Sequence, residues 1–176
     1  MVISLKEIID GGRLDSVSAV ISQFSCRDED VEKFLKSKSV DFERRDKSRT
    51  YLIIDDVSTA LLGYFTLSLK ALPFGKNVSK SAIKSIDGFS KEIQAVGIIL
   101  IGQFGKDAEI AKDIEGGYLF DLCIETVYKA QKIIGGRFVL LECQDNEKVI
   151  SFYTCQGFES LQYDETDKYL QMVRRL

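Results

Sequence analysis

Leu5, Ile8 and Ile9, followed by Val17, Val20, Ile21 and Phe24, recur at the three- and four-residue intervals of an amphipathic helix and predict one or two helices at the start of the chain. The polar run Cys26-Arg27-Asp28-Glu29-Asp30 supplies acidic caps for a further helix carrying Val31, Phe34 and Leu35. Tyr51-Leu52-Ile53-Ile54 ends at Asp55-Asp56, and apolar content resumes over Leu61 to Leu67, so a β-hairpin is expected. Lys70 to Lys91 holds the only proline, Pro73, with Gly75, Gly88 and many serines and lysines, and is expected to be an exposed excursion linking two strands. Ile93 to Ile101 is the most hydrophobic segment and suits a central strand covered on both faces. From Tyr118 to Ile134 the positions Leu119, Leu122, Cys123, Thr126, Val127, Ala130 and Ile134 keep helical rhythm, and Gly135-Gly136 supplies the stop. Phe138 to Leu141 reads as a buried strand and Glu147 to Cys155 as a short helix ended by Gly157, before strands at Phe158 to Tyr163 and Tyr169 to Val173. This order of elements predicts an α/β (α+β) fold with crossover helices in its second half.

Composition narrows the chemistry. A chain of 176 residues with 45% hydrophobic content is expected to form one domain over its whole length. The net charge of −3 and pI near 5.2 argue against a general nucleic-acid binder, although Arg44, Arg45, Lys47 and Arg49 fall close together. No apolar run approaches the roughly 18 residues of a bilayer span, so no membrane partner is expected and the protein reads as cytoplasmic. The four cysteines, Cys26, Cys123, Cys143 and Cys155, are widely spaced, and the chain has no histidine. A zinc set, a catalytic triad and a Cys-His dyad are thereby excluded, and acid-base work falls to tyrosine, carboxylates, thiols, amines or water.

The string Asn146-Glu-Lys-Val-Ile-Ser-Phe-Tyr153-Thr-Cys-Gln-Gly157-Phe158 resembles the carboxy-terminal motif of GNAT acetyltransferases. In that motif Asn opens a short helix, a Phe-Tyr pair lies near its end, and Gly-Phe leads into a strand. Gly135 to Leu141 is similar to the strand before that helix, and Val96 to Ile101 to the central strand that carries the acyl donor. Phe24-x-Cys26, followed by Phe34-Leu35, also resembles the subgroup related to acetyltransferase toxins.

The resemblance implies a central mixed sheet with two splayed parallel strands, flanked by helices on both faces, and acetyl-CoA as co-substrate with no metal. The backbone of Ile99, Leu100 and Ile101 would bond the pantetheine arm as a missing neighbour strand would, and an N–H near Ile99 would hold the thioester oxygen. Tyr153 would protonate the departing thiolate, a phenol of pKa about 10 matching it in basicity. Asn146, which also suits a helix cap, would bond the same arm. The family's phosphate loop is degenerate here. Gly116 and Gly117 at a helix entrance would offer N–H groups to the pyrophosphate and Lys112 or Lys106 would offer charge, whereas Asp107, Asp113 and Glu115 would repel it. Glu92 and Glu142 are positions for a general base, and Cys143 and Cys155 read as packing residues.

Three activities fit the resemblance: acetyl transfer to an amine through a ternary complex, acyl-CoA binding without catalysis, and toxin-like acetylation of a charged tRNA, the one nucleic-acid partner expected. The acceptor is tied to the amino-terminal helices and the Lys70 to Lys91 excursion. The apolar strand at Tyr169 to Val173 is a candidate for pairing across the two-fold axis of a homodimer.

Overall fold

Local signals set most of the elements in the computed structural model, which describes residues Met1–Leu176. In chain order they are β1 (Val2–Ser4), α1 (Leu5–Asp10), α2 (Leu14–Gln23), α3 (Glu29–Ser37), α4 (Ser39–Arg44), β2 (Arg49–Ile54), β3 (Leu61–Pro73), α5 (Lys80–Asp87), β4 (Ala95–Lys106), α6 (Gly116–Ile134), β5 (Phe138–Cys143), α7 (Glu147–Cys155), β6 (Glu159–Asp164) and β7 (Tyr169–Arg175). The strands hydrogen-bond as a seven-stranded mixed sheet in the order β1-β2-β3-β4-β5-β7-β6. Only β4 and β5 are described as a parallel pair, Ile99 to Ile101 facing Val139 to Leu141. By proximity of Cα atoms the chain divides into two compact units, Met1–Ser68 with Gly102–Glu125, and Leu69–Ile101 with Thr126–Leu176.

In the first unit, Leu5, Ile8, Ile21, Phe24 and Leu35 of the helical segment pack with Leu52, Leu61 and Tyr64 of the hairpin. The Tyr64 ring meets Phe24 edge-on at 5.6 Å, and its hydroxyl donates to the Val31 carbonyl at 2.5 Å. Asp28 caps α3, accepting from the N–H groups of Asp30 and Val31, as the acidic run predicts. Gly63 has no room for a side chain, since a Cβ there would lie 2.6 Å from the Gly105 carbonyl oxygen.

In the second unit, Leu72, Ile98, Leu140 and Val173 form the core. Here the expected excursion at Lys70 to Lys91 is corrected. β3 continues through Lys70 to Pro73, and α5 then buries Ile83 and Ile86. Ser79 accepts from the Ala82 N–H at its start, and Gly88, at φ +97°, supplies the left-handed cap at its end. The lysines and serines around two apolar residues three apart hid a two-turn amphipathic helix.

Two further differences have physical causes. β4 does not stop at Ile101 but runs on to Lys106 through Gly102 and Gly105. β7 is not an edge strand, because β5 bonds it on one side and β6 on the other. Its backbone is already paired, so the expected two-fold pairing through Tyr169 to Val173 has no free edge to use, and β6 is the outer strand.

Candidate functional site

α7 is fixed at both ends. The Asn146 side chain accepts from the N–H groups of Lys148 at 3.0 Å and Val149 at 3.4 Å, and Gly157, at φ +80°, turns the chain into Phe158. Between them the Tyr153 ring is half-buried and stands edge-on to Phe152 at 5.1 Å and to Phe158 at 6.1 Å, with Phe158 fully buried. Tyr153 is thus oriented by an aromatic cluster on a capped helix, as a positioned side chain requires.

Ile99, Leu100 and Ile101 are the residues through which β4 pairs with β5. Their backbone on that side is therefore engaged, and β4 continues beyond them through Gly102, Gln103, Phe104, Gly105 and Lys106. Gln103 Oε1 is buried without a hydrogen-bond partner. A buried acceptor in that state is rare and calls for a donor from elsewhere. No pattern in the sequence marked this residue.

In the segment leading to α6, Lys106 and Asp107 are engaged by backbone groups, while Glu109, Lys112, Asp113 and Glu115 are exposed. Asp107, 1% exposed, accepts from the N–H groups of Glu109 and Ile110 through Oδ1 and from that of Ser25 through Oδ2. Lys106 Nζ donates to the carbonyls of Lys112 and Ile114. Asp107 is therefore a folded-in brace, not the exposed repelling charge weighed from the sequence. Gly116 and Gly117 open the 19-residue helix, no acidic residue occupies its first turn, and Lys112 is exposed nearby in sequence. Such a terminus attracts anions through its unpaired N–H groups and dipole.

Of the two carboxylates weighed as bases, Glu92 is exposed and pairs with Lys80 at 3.0 Å, while Glu142 is 18% exposed and bonded to Lys70 at 2.5 Å. The thiols are poorly suited to acyl transfer. Burial pushes Cys123 well above the ordinary thiol range and Cys143 up to about 11, with Asp145 adding to the latter. Of the basic cluster, Arg49 bonds Glu43 and Asp46 and Lys47 lies 5.5 Å from the Phe42 ring centre, while Arg44, Arg45 and Lys47 are exposed. No group of three or more His, Cys, Asp or Glu side chains could hold a metal ion, and no helix is long and apolar enough to cross a membrane.

No protein-family model matches the sequence, and no curated relative matches it significantly. Solved structures do match. AtaT complexed with acetyl-methionyl-tRNAfMet is 24% identical, with 86% of this chain and 85% of that one covered and a TM-score of 0.67. A Tyr-to-Phe mutant of KacT is 27% identical over 89% of each chain, with a TM-score of 0.70. AtaTR bound with acetyl-CoA is 21% identical over 97% of this chain and 90% of that one, with a TM-score of 0.66. These matches agree with the mixed α/β sheet, and the chain has the GNAT fold, resembling within it the acetyltransferase toxins.

Proposed function

We propose that the protein transfers the acetyl group of acetyl-CoA to a primary amine, and that the amine is the α-amino group of an aminoacyl-tRNA. The observation that carries this reading is Tyr153, held by Phe152 and Phe158 on a capped helix, in a chain that matches AtaT and KacT over most of its length. The tRNA acceptor is favoured by AtaT, whose structure holds acetyl-methionyl-tRNAfMet.

Each residue then has a chemical task. Backbone N–H groups at Gly116 and Gly117, with Lys112, meet the pyrophosphate. The pantetheine arm carries amide N–H groups, and the buried Gln103 Oε1 is an acceptor that lacks one. With Ile99 to Ile101 paired to β5, both the arm and the thioester oxygen fall to backbone groups of the β4 residues that follow, in place of an N–H near Ile99. The amine nitrogen, made neutral by loss of a proton to water, bonds to the thioester carbonyl carbon and sheds a second proton to water; the C–S bond breaks, the Tyr153 hydroxyl gives its proton to the departing sulfur, and the phenolate is reprotonated from water. Asn146 keeps α7 in place and is the second candidate contact to the arm.

Calorimetric titration with acetyl-CoA and release of free CoA thiol with methionyl-tRNA test the reading. Tyr153→Phe is expected to lower turnover by about 10²- to 10⁴-fold while acetyl-CoA still binds. Turnover equal to wild type would remove Tyr153 from the chemistry, and wild-type protein that neither binds acetyl-CoA nor releases thiol would remove the activity.

A further inference from the structure

On one face of the second unit's strands the core of Leu72, Ile98, Leu140 and Val173 gives way, two residues along β3, β5 and β7, to Lys70, Glu142 and Gln171. Glu142 and Gln171 are cross-strand partners, and Gln171 and Gln162 are partners on the other side of β7. Three side chains therefore stand in a row across three strands.

Backbone groups at the far end of that row dictate its orientation. The Gly75 N–H donates to Gln162 Oε1 at 2.7 Å, and Gln162 Nε2 donates to the Pro73 carbonyl at 2.8 Å. Neither bond survives a flip of the amide. Gln162 Nε2 must also donate to Gln171 Oε1, at 2.6 Å, which leaves Gln171 Nε2 to donate to Glu142 Oε1 at 2.6 Å and to Asp164 Oδ2 at 3.4 Å. Gln171 is 1% exposed, and both N–H donors and the carbonyl oxygen of this buried amide are engaged. Lys70 Nζ donates to the same Glu142 Oε1 at 2.5 Å.

Two donors thus converge on one oxygen of Glu142, and Oε2 makes no hydrogen bond. The carboxylate is 18% exposed, so it is held in a fixed direction while remaining reachable. The charge count points the same way. Lys70 is one cation between two carboxylates, Glu142 and Asp164, and the cluster carries one negative charge that nothing in it neutralises. Glu142 also lies one residue beyond the parallel pairing of β4 and β5, at the carboxyl end of β5, where open α/β sheets receive ligands.

We infer that Glu142 Oε2 is an ammonium-binding position that takes the protonated amine of the acyl acceptor, with Gln171 as the positioning residue and Lys70 as a competing cation. The inference rests on the acyl-transfer reading above. It concerns the acceptor alone, and acetyl-CoA binding does not depend on it.

The test compares dissociation constants for methionyl-tRNA and for the same tRNA carrying the 2-hydroxy analogue, which lacks the ammonium group. Wild-type protein is expected to prefer methionyl-tRNA by about tenfold, the worth of one hydrogen bond to a charged group. Glu142→Gln, which preserves the shape and the Oε1 bonds, is expected to lose that preference with acetyl-CoA affinity unchanged. A preference kept by Glu142→Gln, or absent from wild type, overturns the inference. Should Glu142→Gln fail to fold, Lys70→Met removes the competing cation and is expected to widen the wild-type preference; an unchanged or narrower one also overturns it. Wild-type protein that fails to bind acetyl-CoA defeats the acyl-transfer reading and this inference together, whereas normal thiol release with no ammonium preference defeats the inference alone.

Discussion

The carboxylates of the two units are used in opposite ways. In the first unit Asp107 and Glu43 are 1% and 0% exposed, and each accepts from backbone N–H groups that would otherwise lack partners: Ser25, Glu109 and Ile110 for Asp107, Thr50 for Glu43. In the second unit Glu142, its side chain 18% exposed, gives one oxygen to Lys70 and Gln171 and leaves the other unbonded. A charge buried against backbone donors is consumed by the architecture, because removing it leaves those donors unsatisfied. A charge braced on one side and open on the other is available for a ligand.

The largest effect that would sharpen this contrast comes from Asp107→Ala. It strands three backbone donors, ties to Ser25 are lost, and unfolding free energy is expected to fall by about 3 kcal/mol in urea titrations. Glu142→Gln is expected to change it by less than about 1 kcal/mol, since its bonded oxygen survives as an amide oxygen. Equal losses for the two variants would erase the distinction between structural and available carboxylates.

A smaller effect, with a pH signature, follows at Glu43. Burial pushes its carboxyl above the ordinary value of 4.5, while the Thr50 N–H and Arg49 pull less strongly the other way. The folded state then holds the proton more tightly than the unfolded chain. The contribution of this group to stability is greatest below pH 4.5 and declines as pH rises from 4.5 through the raised folded value. Glu43→Gln abolishes that decline. Its unfolding free energy relative to wild type should therefore rise across that window and level above it; parallel curves would show that Glu43 titrates alike in both states.

The contrast also explains which features could be read from the chain. The α7 segment is legible because its signals are local: Asn146 at the cap, Tyr153 in the last turn, and Gly157 where φ must be positive. Asp107 was not, since its burial depends on a bond to Ser25, 82 positions away in sequence. The row Glu142, Gln171, Gln162 is created by strand register and by the irregularity between Ser160 and Gln162 in β6. Nothing in the spacing of those residues announces it. α5 was missed for a different reason: two apolar residues among lysines and serines carry too little periodicity to outweigh a loop-like composition.

The smallest effect lies in the second unit and tests the contrast from within it. Asn146 is a polar side chain already engaged by two backbone N–H groups at the start of α7, so it should behave as the first unit's carboxylates do. Asn146→Ala is expected to cost about 1 kcal/mol in urea unfolding, the usual worth of a helix cap, while Asn146→Asp, an equally good cap beside the helix dipole, should leave stability unchanged. Acetyl-CoA titration of the Asp variant then separates the residue's two roles. Affinity equal to wild type assigns Asn146 to the cap alone, whereas weaker binding in a variant of unchanged stability adds the contact to the pantetheine arm that its place before Tyr153 implies.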